Sequence, residues 1–422
     1  MVKQYDKLPP ILGFLDASMI GIGAMVGAGI FVLPGLAANM AGPAIIISFL
    51  IAGIASMLTA LCHAELATAI PKAGGAYVLV NETVGGIWGF LAGWGKWFSL
   101  VVKSGFSLLG LIVFASVFFQ HIPRTLGIVT IGIAITFVNY VGVRISSKLQ
   151  NIITLILLVT LGIFSAICIP SINPALYWPF APYGWSNVFK AAGLLYVTFI
   201  GFAIIATMVE ELKEPERNAP RAMVLSIGVV TCVYMLVALA MTGIVAYDEL
   251  HPTKAIVDVA EVVMGDAGII LITIIGFLAM ISTINMCILA ASRISLAMGR
   301  DRNLPFILSR VHPTFKTPHI SVFLIGIVVI AGAIIADIEK LAKAANVLVL
   351  FAFMLVDFAV IYNRQVKKKM PAFKTPGYPV TPMLGAASCL ILIAQFGAKD
   401  LIIGFGVLST GIAWYIYNTA KV

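Results

Sequence analysis

Two lysines stand where an apolar chain should not carry charge. Lys96 and Lys103 lie seven residues apart, on one face of a helix, and Lys103 interrupts the apolar run 98–119 near its centre. A lysine in a bilayer core costs at least about 2.5–3.5 kcal/mol unless it faces a wet or paired site. Such an ammonium could attract an acidic group or pass a proton. The plainer alternatives are snorkelling to the inner surface, or pairing with Asp357 or Glu65. A second anomaly is the stretch "GIGAMVGAGIF" from Gly21 to Phe31, with four glycines in nine residues of an apolar run. Each glycine weakens a helix by about 1 kcal/mol relative to alanine. A third is "YVTFIGFAIIATMVEEL" from Tyr196 to Leu212, where Gly201 sits among Phe199, Ile200 and Phe202.

The elements that hold these residues follow from composition. The chain is 61% hydrophobic and 11% charged, against about 45–50% and about 25% in soluble domains. Its apolar runs reach the roughly 20 residues that a helix needs to cross a bilayer. They are continuous rather than alternating, which excludes a β-barrel. The first run, 11–38, is too long for a secretory signal and reads as a retained span. Twelve spans are expected, at 12–37, 42–70, 86–119, 124–141, 147–170, 187–211, 221–246, 262–298, 320–336, 341–362, 381–397 and 400–419.

With both termini on one side, the loops on that side hold eighteen Lys and Arg and the opposite loops five. The positive-inside rule places both termini in the cytoplasm and the chain in the cytoplasmic membrane. The net charge of +9 is therefore topology, and no nucleic-acid partner is called for. The five cysteines are scattered singly and the five histidines form no metal spacing, so neither metal nor cofactor is expected. HExxH, a P-loop and a Ser/His/Asp arrangement are missing, which argues against an enzyme. Lipid-facing and partner-facing surfaces share one composition, so the sequence carries no signal of oligomeric state.

The glycines of span 1 contain a GxxxG, Gly23 to Gly27, which could simply let two intact helices pack closely. The matching interruption in span 6, five spans later, favours unwinding. Interrupted segments at corresponding positions of two halves point to an inverted repeat with a site at its centre. Open amides there attract an anion, helped by the helix dipole, and open carbonyls attract an ammonium. A small zwitterion uses both.

Seven stretches, in order and at their expected topological positions, resemble the amino acid–polyamine–organocation (APC) transporters. They are "GAMVGAGIFVLPG", "AELATAIPKAGGAYVLV", "GFLAGWGKW", "EELKEPERNAPRAM", "INMCILAASRISLAMGRDRNLP", "HPTFKTP" and "FKTPGYPVTP". The resemblance spans nearly the whole chain. It implies an all-α membrane protein of LeuT type, one transporter domain with spans 1–5 (12–170) and 6–10 (187–362) as inverted repeats and spans 11–12 (381–419) outside them. It implies alternating access, with substrate at the unwound parts of spans 1 and 6.

By position, the substrate carboxylate would meet the amides of Ala28 and Gly29, within the segment Met25, Gly27 and Ile30. The ammonium would meet the carbonyls of Met25, Val197 and Ile200, beside Gly201. Phe199 and Phe202 would lie alongside, and Ser104 and Cys287 would face the substrate side chain. The segment 71–84 would lie along the inner membrane face, and 210–221 would help lock the cytoplasmic side.

The chain departs from its relatives at three positions. Val197 stands where many carry an aromatic residue. Ala203 stands where several carry an acid, so cationic substrates are the least supported. Leu157 is the position matched, by count, to the span 5 lysine of proton-coupled relatives. Coupling is then left to substrate exchange, to a proton at Lys96 or Lys103, or to sodium between span 1 and the hydroxyls of Ser282 and Thr283. Those hydroxyls could equally bond back to their own helix. The expected function is transport or exchange of neutral or small amino acids. The alternatives are a polyamine or other amine carrier, and an amino-acid sensor on a transporter-like fold, which would bring an added soluble domain.

Overall fold

The computed structural model describes residues 10–118, 123–141, 147–315 and 317–420. Lys3, Lys7, Arg144, Lys316 and Lys421, used above for orientation, and Phe119, the end of span 3, lie outside the described residues. The chain is all-helical among the described residues. Its helices are α1 (Phe14–Met25), α2 (Ala28–Ala41), α3 (Ile45–Ala69), α4 (Ala76–Thr83), α5 (Gly86–Phe118), α6 (Arg124–Val141), α7 (Ser147–Cys168) and α8 (Trp185–Leu195). They continue as α9 (Phe202–Thr207), α10 (Pro215–Ile244), α11 (Ala255–Met264), α12 (Asp266–Arg300), α13 (His319–Ile335), α14 (Ile338–Tyr362), α15 (Val380–Ile393) and α16 (Ala398–Thr419).

Nine helical segments among the described residues are long and apolar enough to cross a membrane, and α1, α13 and α15 are shorter apolar helices. Exposed Phe137, Ile163, Ile327 and Ile402 put large apolar side chains on the outside of α6, α7, α13 and α16. On a soluble protein such surface would aggregate; here it faces acyl chains. Backbone polar groups have no water to turn to in lipid, so the spans are helical throughout except where protein covers them.

α5 is the central helix. It packs along α12 on one side and α14 on the other. α1 lies against α7, α10, α9 and α12, and α2 against α8. α4 is not a surface helix. Its Ala76, Tyr77, Leu79 and Val80 are buried, and it packs on α5 and α14. α11 has no counterpart among the expected spans; it is a ten-residue helix packed on α12 and α2.

One end of the bundle is tied by polar contacts. The amides of Ile11 and Leu12 donate to the Glu211 carbonyl at 3.0 and 2.9 Å, and Lys213 N–H donates back to Leu12 at 2.8 Å. Glu211 pairs with Arg293 of α12 at 2.7 Å. Tyr77 Oη donates to Asp301 at 2.6 Å.

Candidate substrate site between two interrupted helices

α1 stops at Met25 and α2 starts at Ala28, with Val26 and Gly27 outside helical geometry. α8 stops at Leu195. A 3-10 turn covers Tyr196–Thr198, further turns cover 199–201, and α9 starts at Phe202. The two interruptions cross in direct contact. A Cβ on Gly201 would stand 2.6 Å from the Ala24 carbonyl carbon and the Met25 nitrogen, so only glycine admits the approach. A Cβ on Gly27 would collide with Thr283 Oγ1 of α12, and one on Gly29 would fall 2.5 Å from Thr198 Cγ2. The glycines of span 1 therefore permit close packing and an interrupted helix at once.

An interrupted helix leaves amides at one end and carbonyls at the other. The Ala28 and Gly29 amides open α2, and no acceptor meets them among the described residues. At the end of α1, three carbonyls are engaged. Ile22 accepts Val26 N–H at 2.7 Å, Met25 accepts the Tyr234 hydroxyl at 2.7 Å, and Ala24 accepts the Lys103 ammonium at 3.2 Å. Ile200 O accepts the Ala203 amide at 3.3 Å, while Val197 O accepts no backbone amide. The pattern is an anion-seeking end facing a cation-seeking end, with Lys103 already at the latter.

Lys103 and Lys96 are both buried on α5. Neither pairs with Asp357 or Glu65, the partners the sequence offered. Glu65 is held by Arg364 through two bonds of 2.7 Å, and Asp357 accepts from Thr59 at 3.3 Å. Among the described residues Lys96 Nζ has no hydrogen-bond partner, and it stands 4.6 Å from the Phe353 ring centroid, a cation–π contact worth about 0.5–2 kcal/mol. Phe353 also packs on His63 and Phe202, at 4.7 and 5.3 Å.

The remaining expected residues fall around this point. Ser104 bonds back to the Leu100 carbonyl at 3.0 Å and faces the thiol of Cys287, which is close enough to both ammonium groups to interact with their charge. Phe199 packs on Tyr234 at 5.3 Å. Thr283 bonds back to Ala279 at 2.9 Å, whereas Ser282 bonds across to Gln150 of α7 at 3.1 Å. The polar groups of α7 that reach α1 are Asn151, on Asp16 at 2.7 Å, and Thr154, on the Met19 carbonyl at 3.1 Å; Gln150 packs against Gly23. This polar row is on the face of α7 that meets α1, and Leu157, a turn further along the helix, is buried.

Tyr234, Gln150, His63 and Phe353 were not singled out by the sequence reading of the site. Tyr234 and Gln150 carried a signal, each being a polar group within or against an apolar run. Phe353 carried none.

Two interrupted helices that touch beside buried charge are the geometry expected of a membrane transporter, and comparison with known proteins gives that class. Residues 12–416 match the amino acid permease family, and the chain belongs to it. It is 31% identical to a branched-chain amino acid permease of Bacillus subtilis, over 97% of this chain and 93% of the relative. It is 33% identical to a methylthioribose transporter of the same organism, over 92% and 88%. It is 30% identical to mouse cationic amino acid transporter 4, over 86% of this chain and 61% of the relative. The protein is a membrane transporter and not an enzyme.

Proposed function

We propose that this protein carries neutral amino acids across the cytoplasmic membrane by alternating access. In this reading its twelve spans form a LeuT-type five-plus-five inverted repeat with both termini in the cytoplasm. α1 with α2 is broken span 1, and α8 with α9 is broken span 6. The carrying observation is the contact of the two interruptions, Gly201 against Ala24 and Met25. Substrate carboxylate sits at the Ala28 and Gly29 amides, where the α2 dipole adds to the attraction. Substrate ammonium sits toward the Val197 and Ile200 carbonyls.

Two buried lysines in the site favour neutral or anionic side chains over cationic ones. Two like charges about 4 Å apart still repel by about 4 kcal/mol near a protein surface. Lys103 also supplies, from α5, a fixed cation at the end of α1, so transport does not require sodium there. The engagement of Ser282 by Gln150 and of Thr283 by its own helix supports the same view.

The Lys103 contact favours one second reading. A substrate without an ammonium group, a polyhydroxyl thioether such as the one named for the second relative, would leave Lys103 in place and accept from it. Uptake of radiolabelled leucine, glutamate, lysine and methylthioribose into proteoliposomes, empty or preloaded, separates the two. Leucine uptake with little lysine uptake supports the proposal. Methylthioribose uptake alone replaces it with the second reading, and uptake of none of the four overturns both.

A further inference from the structure

A second buried polar cluster lies one turn of α14 beyond Phe353 and outside the substrate site. Its centre is Asp357, fully buried. Oδ2 accepts from Thr59 Oγ1 of α3 at 3.3 Å. Among the described residues Oδ1 has no hydrogen-bond partner, and two other buried oxygens in the cluster, Ser56 Oγ and Tyr196 Oη, have none either. The Tyr196 phenol faces Ser56, Thr59 and the carboxylate.

The charge here is unbalanced. Among the described residues, no Lys, Arg or His lies within ion-pair distance of Asp357. The titratable groups that face it are the Cys62 thiol of α3, the Cys389 thiol of α15 and the Tyr196 phenol. Glu65, a turn along α3, is consumed by Arg364. Lys96 of α5 stands over the Phe353 ring at 4.6 Å and makes no ion pair with Asp357. The flanking helices α8 and α16 bring no ion-pair partner. An isolated carboxylate in an apolar interior costs far more than a neutral acid, so such a group takes up a charge partner or a proton.

The surroundings choose between them. The backbone of α15 presses on the carboxylate: a Cβ on Gly385 would stand 2.8 Å from Oδ2. Two of the neighbours are thiols, which are poor ligands for a hard cation. A proton needs neither room nor extra oxygens.

We propose that Asp357 is a proton-binding site linked to the transport cycle. The link is Tyr196. It faces Asp357, and it is the first residue of the 3-10 turn whose next member, Val197, would offer its carbonyl to the substrate in the reading above. The closed arrangement holds the neutral acid. When the turn moves, the phenol leaves, water reaches Oδ1 and the proton departs. The inference rests on the transporter reading above, and the experiment separates the two.

Wild type, Asp357→Asn and Asp357→Glu are reconstituted as full chains, and leucine movement is followed. Exchange at equal pH on both sides tests the transporter; accumulation driven by an acidic exterior tests the proton site. The expected result is exchange by all three proteins, with accumulation by wild type, partial accumulation by the Glu variant and none by the Asn variant. Infrared difference spectra of wild type should carry a protonated-carboxyl band that Asp357→Asn lacks. Accumulation by the Asn variant equal to wild type overturns the site. So does wild-type accumulation driven by sodium and not by pH. A spectrum without that band overturns it even if no substrate moves, an outcome that would count separately against the transporter reading.

Discussion

The ammonium of Lys103 stands 3.2 Å from the carbonyl oxygen of Ala24, at the last turn of the first helix. Charge, helix dipole and an open backbone acceptor meet at that point. The contact ties α5 to the interruption of span 1. Replacing Lys103 by Met removes an expensive buried charge but strands one carbonyl, at a cost of about 1–3 kcal/mol. These effects oppose each other. The melting temperature in detergent should therefore move little, while leucine uptake falls at least about tenfold, a loss of about 1.4 kcal/mol in transition-state terms.

Gly201→Ala tests the crossing of the two interruptions. The added methyl would meet backbone atoms 2.6 Å away, which cannot rotate aside. Overpacking of this kind costs about 1–3 kcal/mol. Both the melting temperature and uptake should fall. Gly162→Ala, inside α7 where a Cβ meets nothing within 4 Å, should leave uptake unchanged and raise the melting temperature slightly.

Tyr234→Phe removes one hydroxyl from the Met25 carbonyl, with the ring still packed on Phe49 and Phe199 at 5.2 and 5.3 Å. One hydrogen bond contributes about 0.5–1.5 kcal/mol. The expected outcome is a higher KM for leucine with a small change in melting temperature, read from concentration-dependent uptake.

Glu65 and Arg364 form a bidentate pair whose carboxylate is fully buried, and the Thr375 amide donates to the same carboxylate at 2.7 Å. Removing one partner of a buried pair costs about 3–5 kcal/mol because the other charge is left alone. Arg364→Ala should unfold or strongly destabilise the protein. Glu65→Gln combined with Arg364→Gln should recover part of the loss, which a double-mutant cycle in thermal melts would measure.

Glu82, on the short helix α4, is held below the ordinary glutamate range first by its hydrogen bond to Lys72 and then by Lys369, at 2.6 and 3.1 Å. A depressed carboxylate stabilises the fold above its unfolded pKa of about 4.3 and loses that contribution as pH falls through its lower folded value. The pairs are partly exposed, so the effect is at most about 1 kcal/mol. Glu82→Gln should lower the melting temperature slightly at pH 7, and the difference from wild type should vanish in acid.

The residues that could be read in one dimension were those whose type clashed with their neighbours. Four glycines inside an apolar run, and one more five spans on, marked the interruptions. Two lysines in an apolar helix marked α5 as the helix that carries charge to the centre. Hydropathy and the loop lysines and arginines pointed to the membrane spans and a sidedness. These are local properties: helix propensity, span length and the cost of a charge in lipid all depend on a residue and its near neighbours in the chain.

Partnership was decided only in three dimensions. Lys103 bonds to a carbonyl of α1 and not to Asp357 or Glu65. Glu65 takes Arg364, almost three hundred positions away. Gln150 reaches Ser282, and Asp357 is left with hydroxyls, thiols and an unmet oxygen. The physical reason is that hydrophobic spans are nearly interchangeable by composition. Which polar atoms meet is settled by how the helices cross, and that depends on contacts such as Gly201 on Ala24 that join residues far apart in the chain.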